Sequence, residues 1–170
     1  QLAHYSYAET SVQKSILEKV ETNQNKMQYW ANHAPMNGQH KYDLVAAECK
    51  RVLGHKLEAI ELYDLAIAGA KENEYLQEEA LANELAAKFC LEWGKEKFAQ
   101  TYMVEAYYCY ARWGAKAKTN QLETKYPQLL STILKTREHN NSHNSVTSTQ
   151  PSDTLTTTSV FLDHASRSEE

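Results

Sequence analysis

His139 and His143 stand four residues apart in HNNSH, the spacing at which two imidazoles on one helical turn can share a metal ion. Their surroundings are Asn and Ser with no third ligand nearby, so a solvated linker accounts for them better. Cys49, Cys90 and Cys109 are odd in number and widely separated, without a C-x-x-C spacing. They read as small core hydrophobes, not as a disulfide framework or a zinc site. None has a base placed beside it by a third group, which a nucleophile needs. Gly94-Lys95-Glu96 lacks every other part of a phosphate-binding loop, and no G-x-G-x-x-G or H-R-D catalytic loop is present. His33 and His40 flank the turn Ala34-Pro35-Met36-Asn37, where an imidazole is expected to satisfy backbone groups. The expectation is a non-enzyme with no catalytic residue, cofactor or metal.

The elements that carry these residues follow from composition. In 170 residues there are five glycines and three prolines, so turns are few and elements long. Ala, Glu, Lys, Leu and Gln dominate, all strong helix formers, and the expected class is all-α. Apolar groups at Val12, Ile16, Leu17, Val20, Met27, Trp30 and Ala31 predict a helix over 11–33, ended by Pro35. A second runs from about Gln39 to Leu53, with Gly54 as a left-handed C-cap. A third, His55 to Glu72, presents Leu57, Ile60, Leu62, Tyr63, Ala66, Ile67 and Ala70. Helices over Tyr75–Trp93 and Lys95–Trp113 follow, each closed by Trp-Gly, the tryptophans expected to seal adjacent pairs. A shorter one spans Ala115–Lys125, and Gln128–Thr136 adds a turn or two.

Eighteen Lys and Arg against 22 Asp and Glu give a net charge of -4. No broad cationic surface is available for a phosphate backbone, which argues against nucleic acid as partner. No apolar run approaches the ~18–20 residues of a bilayer span and no signal peptide opens the chain, so no membrane partner is expected and the expected compartment is cytoplasmic. Gln1 in place of an initiating methionine suggests a start inside a longer polypeptide, making 1–10 a remnant of an upstream element. The helical domain then covers 11–137. Between His139 and Ser159 stand five serines, six threonines and three asparagines, with Val146 and Leu155 the lone aliphatics, so 138–159 is expected to be a disordered linker. Residues 160–170, VFLDHASRSEE, look like the cut-off start of a further segment.

The chain repeats itself. A shift of 40 positions lays Ala46-Ala47 on Ala86-Ala87, Gly54 on Gly94, Ala59 on Ala99 and Ala66 on Ala106. Small residues at such places let paired helices approach closely. The spacing Gly54, Ala59, Tyr63, Ala66 and its echo Gly94, Ala99, Met103, Ala106 resembles the second half of a tetratricopeptide repeat. The family repeat is about 34 residues long, so these helices are longer than usual, and Lys50 stands where the family has Tyr or Leu. The resemblance implies antiparallel helix pairs stacked as a short solenoid.

A longer stretch, roughly 18–135, resembles the inter-domain segment of large cyanobacterial-type sensor kinases. It is carried by NQNKMQYWANHAPMNGQHKYDLVAAE, KENEYLQEEALANELAAKFCLEWGKEKFAQTYMVEAYYCYARWGAKAK and LETKYPQLL. In that family a serine/threonine kinase and an AAA-type ATPase precede the segment, and a GAF sensor and often a histidine kinase follow it. Leu162-Asp163 and Ala165 resemble the lead into the GAF domain. The resemblance implies a role in signal transduction as a scaffold that links and positions the kinase, ATPase and sensor domains, which would be its partners. None of those domains lies in this chain.

Tetratricopeptide repeats present the first helix of each pair on a concave face. Lys41, Glu48, Arg51, Glu84, Lys88 and Glu92 fall on those helices and form a possible partner-binding face. Where carboxylate-binding members carry Lys and Asn, this chain has Leu44 and Glu48, then Glu84 and Lys88, so the clamp for a C-terminal carboxylate is absent. The plainer reading is a solvated face of i,i±4 ion pairs. Binding there would make the chain a free-standing interaction module for some other protein, the alternative to the scaffold.

Overall fold

A computed structural model describes Leu2, Tyr5 and residues 8–144. Every regular element of ordinary length among the described residues is an α-helix: α1 (Thr10–His33), α2 (Pro35–Val52), α3 (Lys56–Glu72), α4 (Leu76–Glu92), α5 (Glu96–Trp113), α6 (Lys116–Lys125) and α7 (Ser131–Asn144). The expected linker over 145–159 and the segment 160–170 lie outside the described residues, as do the side chains of His139 and His143. Helix α7 continues to Asn144, into the first part of the stretch expected as linker. Pro35 does not merely end α1. It opens α2 four residues ahead of the expected start, because a proline at the first helical position loses no hydrogen bond and has its φ already set.

Three helix ends close the same way. Gly54, Gly94 and Gly114 have φ of 80°, 76° and 81°. At each, the glycine N–H donates three residues back and the next N–H five back: Gly94 to Leu91 O at 3.0 Å and Lys95 to Cys90 O at 2.8 Å. This is the Schellman arrangement, which satisfies carbonyls left over at the helix end. The end of α3 is closed alike, by Glu74 N–H to Lys71 O and Tyr75 N–H to Ala70 O, but there Glu74 itself adopts φ 62°.

The helices pair in order, α2 with α3 and α4 with α5 most extensively, then α1 with α2 and α3 with α4. This packing is consistent with a repeat arrangement. Ala47, Ala59, Ala66, Ala70, Ala80, Ala86, Ala87, Ala99 and Ala106 are all fully or almost fully buried at the contacts, while Tyr63, Met103, Phe89, Leu122 and Leu130 fill the space between. Helix α4 lies at the centre and buries nine of its 17 residues. Helix α1 buries only Val20 and Ala31, since among the described residues α2 is its one extensive neighbour.

Some expected core positions face outward. Leu57 is 70% exposed, because the buried stripe of α3 is Ala59, Tyr63, Ala66 and Ala70 and Leu57 lies off it in the first turn. Trp30 and Trp113 are also exposed, so Trp113 does not seal a helix pair. Trp93 packs its ring 5.5 Å from that of Phe89 and joins the core edge.

A left-handed backbone strains any residue with a Cβ by about 1 kcal/mol. Gly94→Ala is therefore expected to lower stability by roughly 1 kcal/mol and Glu74→Gly to raise it by up to about 1 kcal/mol, against about 2–5 kcal/mol lost in Met103→Ala. Urea unfolding midpoints would check all three, and a Glu74→Gly variant weaker than the parent would contradict the cap assignment.

Candidate functional site

The charged residues of the first helices lie on one row, α2 beside α4 beside α6, and most are tied to one another. Arg51 forks onto Glu48, donating from Nε at 3.1 Å to one oxygen and from Nη2 at 2.9 Å to the other. Tyr63 of α3 donates its hydroxyl to the same carboxylate. Arg51 Nη1 also reaches Glu92 of α4 at 3.5 Å. Burial opposes the Arg51 charge, but Glu48 beside it more than reverses this and holds the guanidinium charged. Burial and the Glu48 charge push the Tyr63 phenol far above its ordinary range. Tyr63 is therefore a permanent donor here.

Glu84 is the more deeply placed carboxylate, 3% exposed. It accepts from Lys88 Nζ at 2.5 Å, from Lys118 Nζ of α6 at 2.7 Å and from the Tyr110 hydroxyl of α5 at 2.8 Å. Burial alone would raise its pKa. The hydrogen bonds from Lys118, Lys88 and Tyr110 outweigh that and leave it below the usual carboxylate value. Lys118 also lies 5.1 Å from the centre of the Tyr110 ring.

The structure thus brings Glu48, Arg51 and Glu92 together and joins Glu84 to Lys88. Lys41 lies apart, with Nζ donating to Asn37 O at 3.0 Å, 3.6 Å from Glu78 and 4.7 Å over the Tyr75 ring. The pair Glu84–Lys88 is the expected i,i+4 contact, but Glu92 turns to Arg51 on α2. Glu84 faces the interior, not solvent. Tyr110 and Lys118 are members that sequence reading did not assign to this group. Tyr107 and Tyr110 stand three apart on α5 and both are buried, but no local pattern marks Lys118 as the partner of a carboxylate 34 residues earlier.

A second polar group is enclosed where α2, α3 and α4 meet. His40 is 2% exposed, stacked on Tyr75 at 4.7 Å between ring centres, and neither ring nitrogen has a hydrogen-bond partner among the described residues. This differs from the expected backbone-satisfying role, which His33 does fulfil toward Tyr29 O at 2.7 Å. Burial lowers the His40 pKa, and Lys41 lowers it further, against the opposing pull of Glu78 and Asp43. Asp43, held by Gln39 at 2.8 Å, is raised by burial. Burial likewise raises all three thiols, Cys90 to about 11 with help from Asp64. Among the described residues no group of three or more His, Cys, Asp or Glu could hold a metal ion. No helix among them is long and apolar enough to cross a membrane.

Comparison with known proteins adds a context. A 62-residue stretch is 44% identical to hybrid signal transduction histidine kinase G of Dictyostelium discoideum, covering 36% of this chain and 2% of that protein. The chain therefore spans only a small fraction of the relative's length. No protein-family model matches the chain, and no solved structure does. The likeness points toward signal transduction, whereas a cyanobacterial parent and a tetratricopeptide relationship rest on the sequence resemblance alone.

Two outcomes follow from these groups. Glu84→Gln leaves two lysines facing a neutral amide and is expected to cost about 1–3 kcal/mol. The wild-type contribution of Glu84 is complete above its unfolded value of 4.5 and is lost as pH falls through the lower folded pKa. For His40 the folded pKa lies below the unfolded 6.5, so the unfolded chain binds the proton first and stability declines as pH falls below about 6.5. Urea midpoints between pH 7.5 and about 5 should fall in the wild type and fall less in His40→Leu. Equal slopes would show that His40 is not the titrating group.

Proposed function

We propose that this chain is a non-catalytic helical scaffold, tetratricopeptide-like antiparallel pairs stacked as a short solenoid, that links and positions neighbouring domains of a signal-transduction protein. The observation that carries the reading is the likeness to a hybrid histidine kinase in a chain whose first helices are fastened side by side. A spacer between a sensor and an output domain must keep its length and direction under load. Cross-links from α2 to α4 and from α4 to α6 supply that by resisting the sliding of one helix pair past the next. Kinase, ATPase and GAF neighbours are the partners this reading implies, and they come from the resemblance to sensor kinases.

A second reading, a free-standing module that recruits another protein, is favoured by the 64% exposure of the Glu92 side chain beside Arg51. Its contact residues would be Lys41, Arg51, Lys88 and Glu92, with Glu48 and Glu84 setting them from behind.

Dyes attached at positions 11 and 132 of the full chain should report a single narrow distance that stays constant in urea up to the unfolding transition. A broad distance distribution under native conditions would sink the scaffold reading. Saturable capture of a protein that Glu92→Lys and Lys41→Glu abolish would favour the recruiting module instead.

A further inference from the structure

The α1–α2 end of the molecule carries an open groove of about 290 Å³ lined by Met27, Trp30, Ala34, Asn37, Gly38 and Lys41. Its counterpart one repeat further on is filled, and what fills it is known. Helix α2 seats itself on the junction of α3 and α4. The His40 ring stacks on Tyr75, and its Cβ would stand 3.2 Å from a Cβ added at Gly69. Tyr75 donates its hydroxyl to Asn37 at 2.6 Å, Lys41 faces Glu78, and Tyr63 donates to Glu48.

Helix α1 repeats α3 in its burial. Val20 and Ala31 are buried as Ala59 and Ala70 are, which puts Met27 at the place of Ala66 and Trp30 at the place of Gly69. Helix α2 likewise repeats α4 in the register that matches Ala47 with Ala87 and Gly54 with Gly94. Asn37, Gly38 and Lys41 then stand where α4 has Gln77, Glu78 and Leu81. Among the described residues the α1–α2 groove is thus the vacant copy of the α3–α4 junction, continuous with an interface this chain already forms.

We propose that this groove binds an amphipathic α-helix, laid antiparallel to α1 as α2 is laid against α3. Its chemistry can be read from the lining. The Trp30 indole occupies the room that Gly69 leaves for His40, so the guest carries Ala, Gly or Ser at that point. Met27 receives an aliphatic side chain. The Lys41 ammonium and the Asn37 amide receive an acid or amide at the rim, since Lys41 remains 37% exposed at 3.6 Å from Glu78. The guest would cover Trp30, now 58% exposed, and the half-buried Met27. The inference rests on the packing of α1 to α4 and stands or falls separately from the signalling role.

The probe is a capped peptide of residues 35–53 of this chain carrying His40→Ala, Lys41→Glu and Cys49→Ser, added to the full chain labelled with fluorotryptophan. The chain holds three tryptophans, and Trp30→Phe assigns the resonance of interest. The expected result is a saturable shift of the Trp30 resonance with half-saturation below about 1 mM, while Trp93 and Trp113 stay in place and report an intact fold. Met27→Lys should weaken binding at least about tenfold, a difference of roughly 1.4 kcal/mol. No Trp30 shift with the peptide, or the same shift with a scrambled peptide, would overturn the proposal. A Trp30 resonance that moves on simple dilution would place a second copy of the chain in the groove and would also overturn it.

Discussion

The carboxylate of Glu84 is the point at which the fold is fastened. It sits on the central helix, almost without solvent, and receives donors from α4 itself, from α5 and from α6. An ionised carboxylate in such a place costs several kcal/mol of lost hydration unless its lone pairs are filled. Two ammonium groups and a phenol fill them, and the need to fill them fixes the rotation of α4, the depth of α5 and the position of the short α6 together. Apolar packing alone leaves helices freer to slide, because a stripe of alanines reads nearly the same one turn along. A buried charge with three directional partners does not.

Around that fixed point the core works by closeness more than by bulk. Alanines at zero or near-zero exposure bring the helix backbones together, and a few large side chains, Tyr63, Met103 and Phe89, occupy what is left. Tyr63 and Met103 hold equivalent places in the two repeats, yet Tyr63 extends a hydroxyl to Glu48 and Met103 carries no such group. The polar cross-links therefore differ between units while the alanine frame is shared. In the first unit Arg51 and Glu48 form the tie, with side chains 17% and 14% exposed, and in the second Glu84 forms it deeper in the interior.

Much of this was legible in the sequence. Three glycines near helix ends announced the turns, since a left-handed cap is nearly a glycine monopoly, and the recurring Ala positions marked the contacts. The fourth cap, at Glu74, gave no such signal because its residue is atypical for the conformation. Periodicity overstated the core at Leu57 and Trp30, and Trp113 does not seal its helix pair; all three side chains are more than half exposed. The charged residues of the first helices were legible as such, but not their pairings, nor the turn of Glu84 into the interior. Which lysine meets Glu84 depends on how α6 lies on α4, a fact of tertiary geometry that spacing along one helix does not contain. His40 was placed at its turn, while its burial required Gly69 on the next helix to leave room for it.

The cysteines, read at first only as filling, have one more consequence. Cys90 and Cys109 are buried, Cys49 is half-buried, and in all three burial favours the protonated sulfur. Near neutral pH the thiolate population is correspondingly scarce, and thiolate is the species that attacks disulfides, peroxides and alkylating reagents. The folded helices thus keep Cys90 and Cys109 silent until they open, so the rate at which these two buried thiols react with a reagent such as iodoacetamide is a clock for local unfolding.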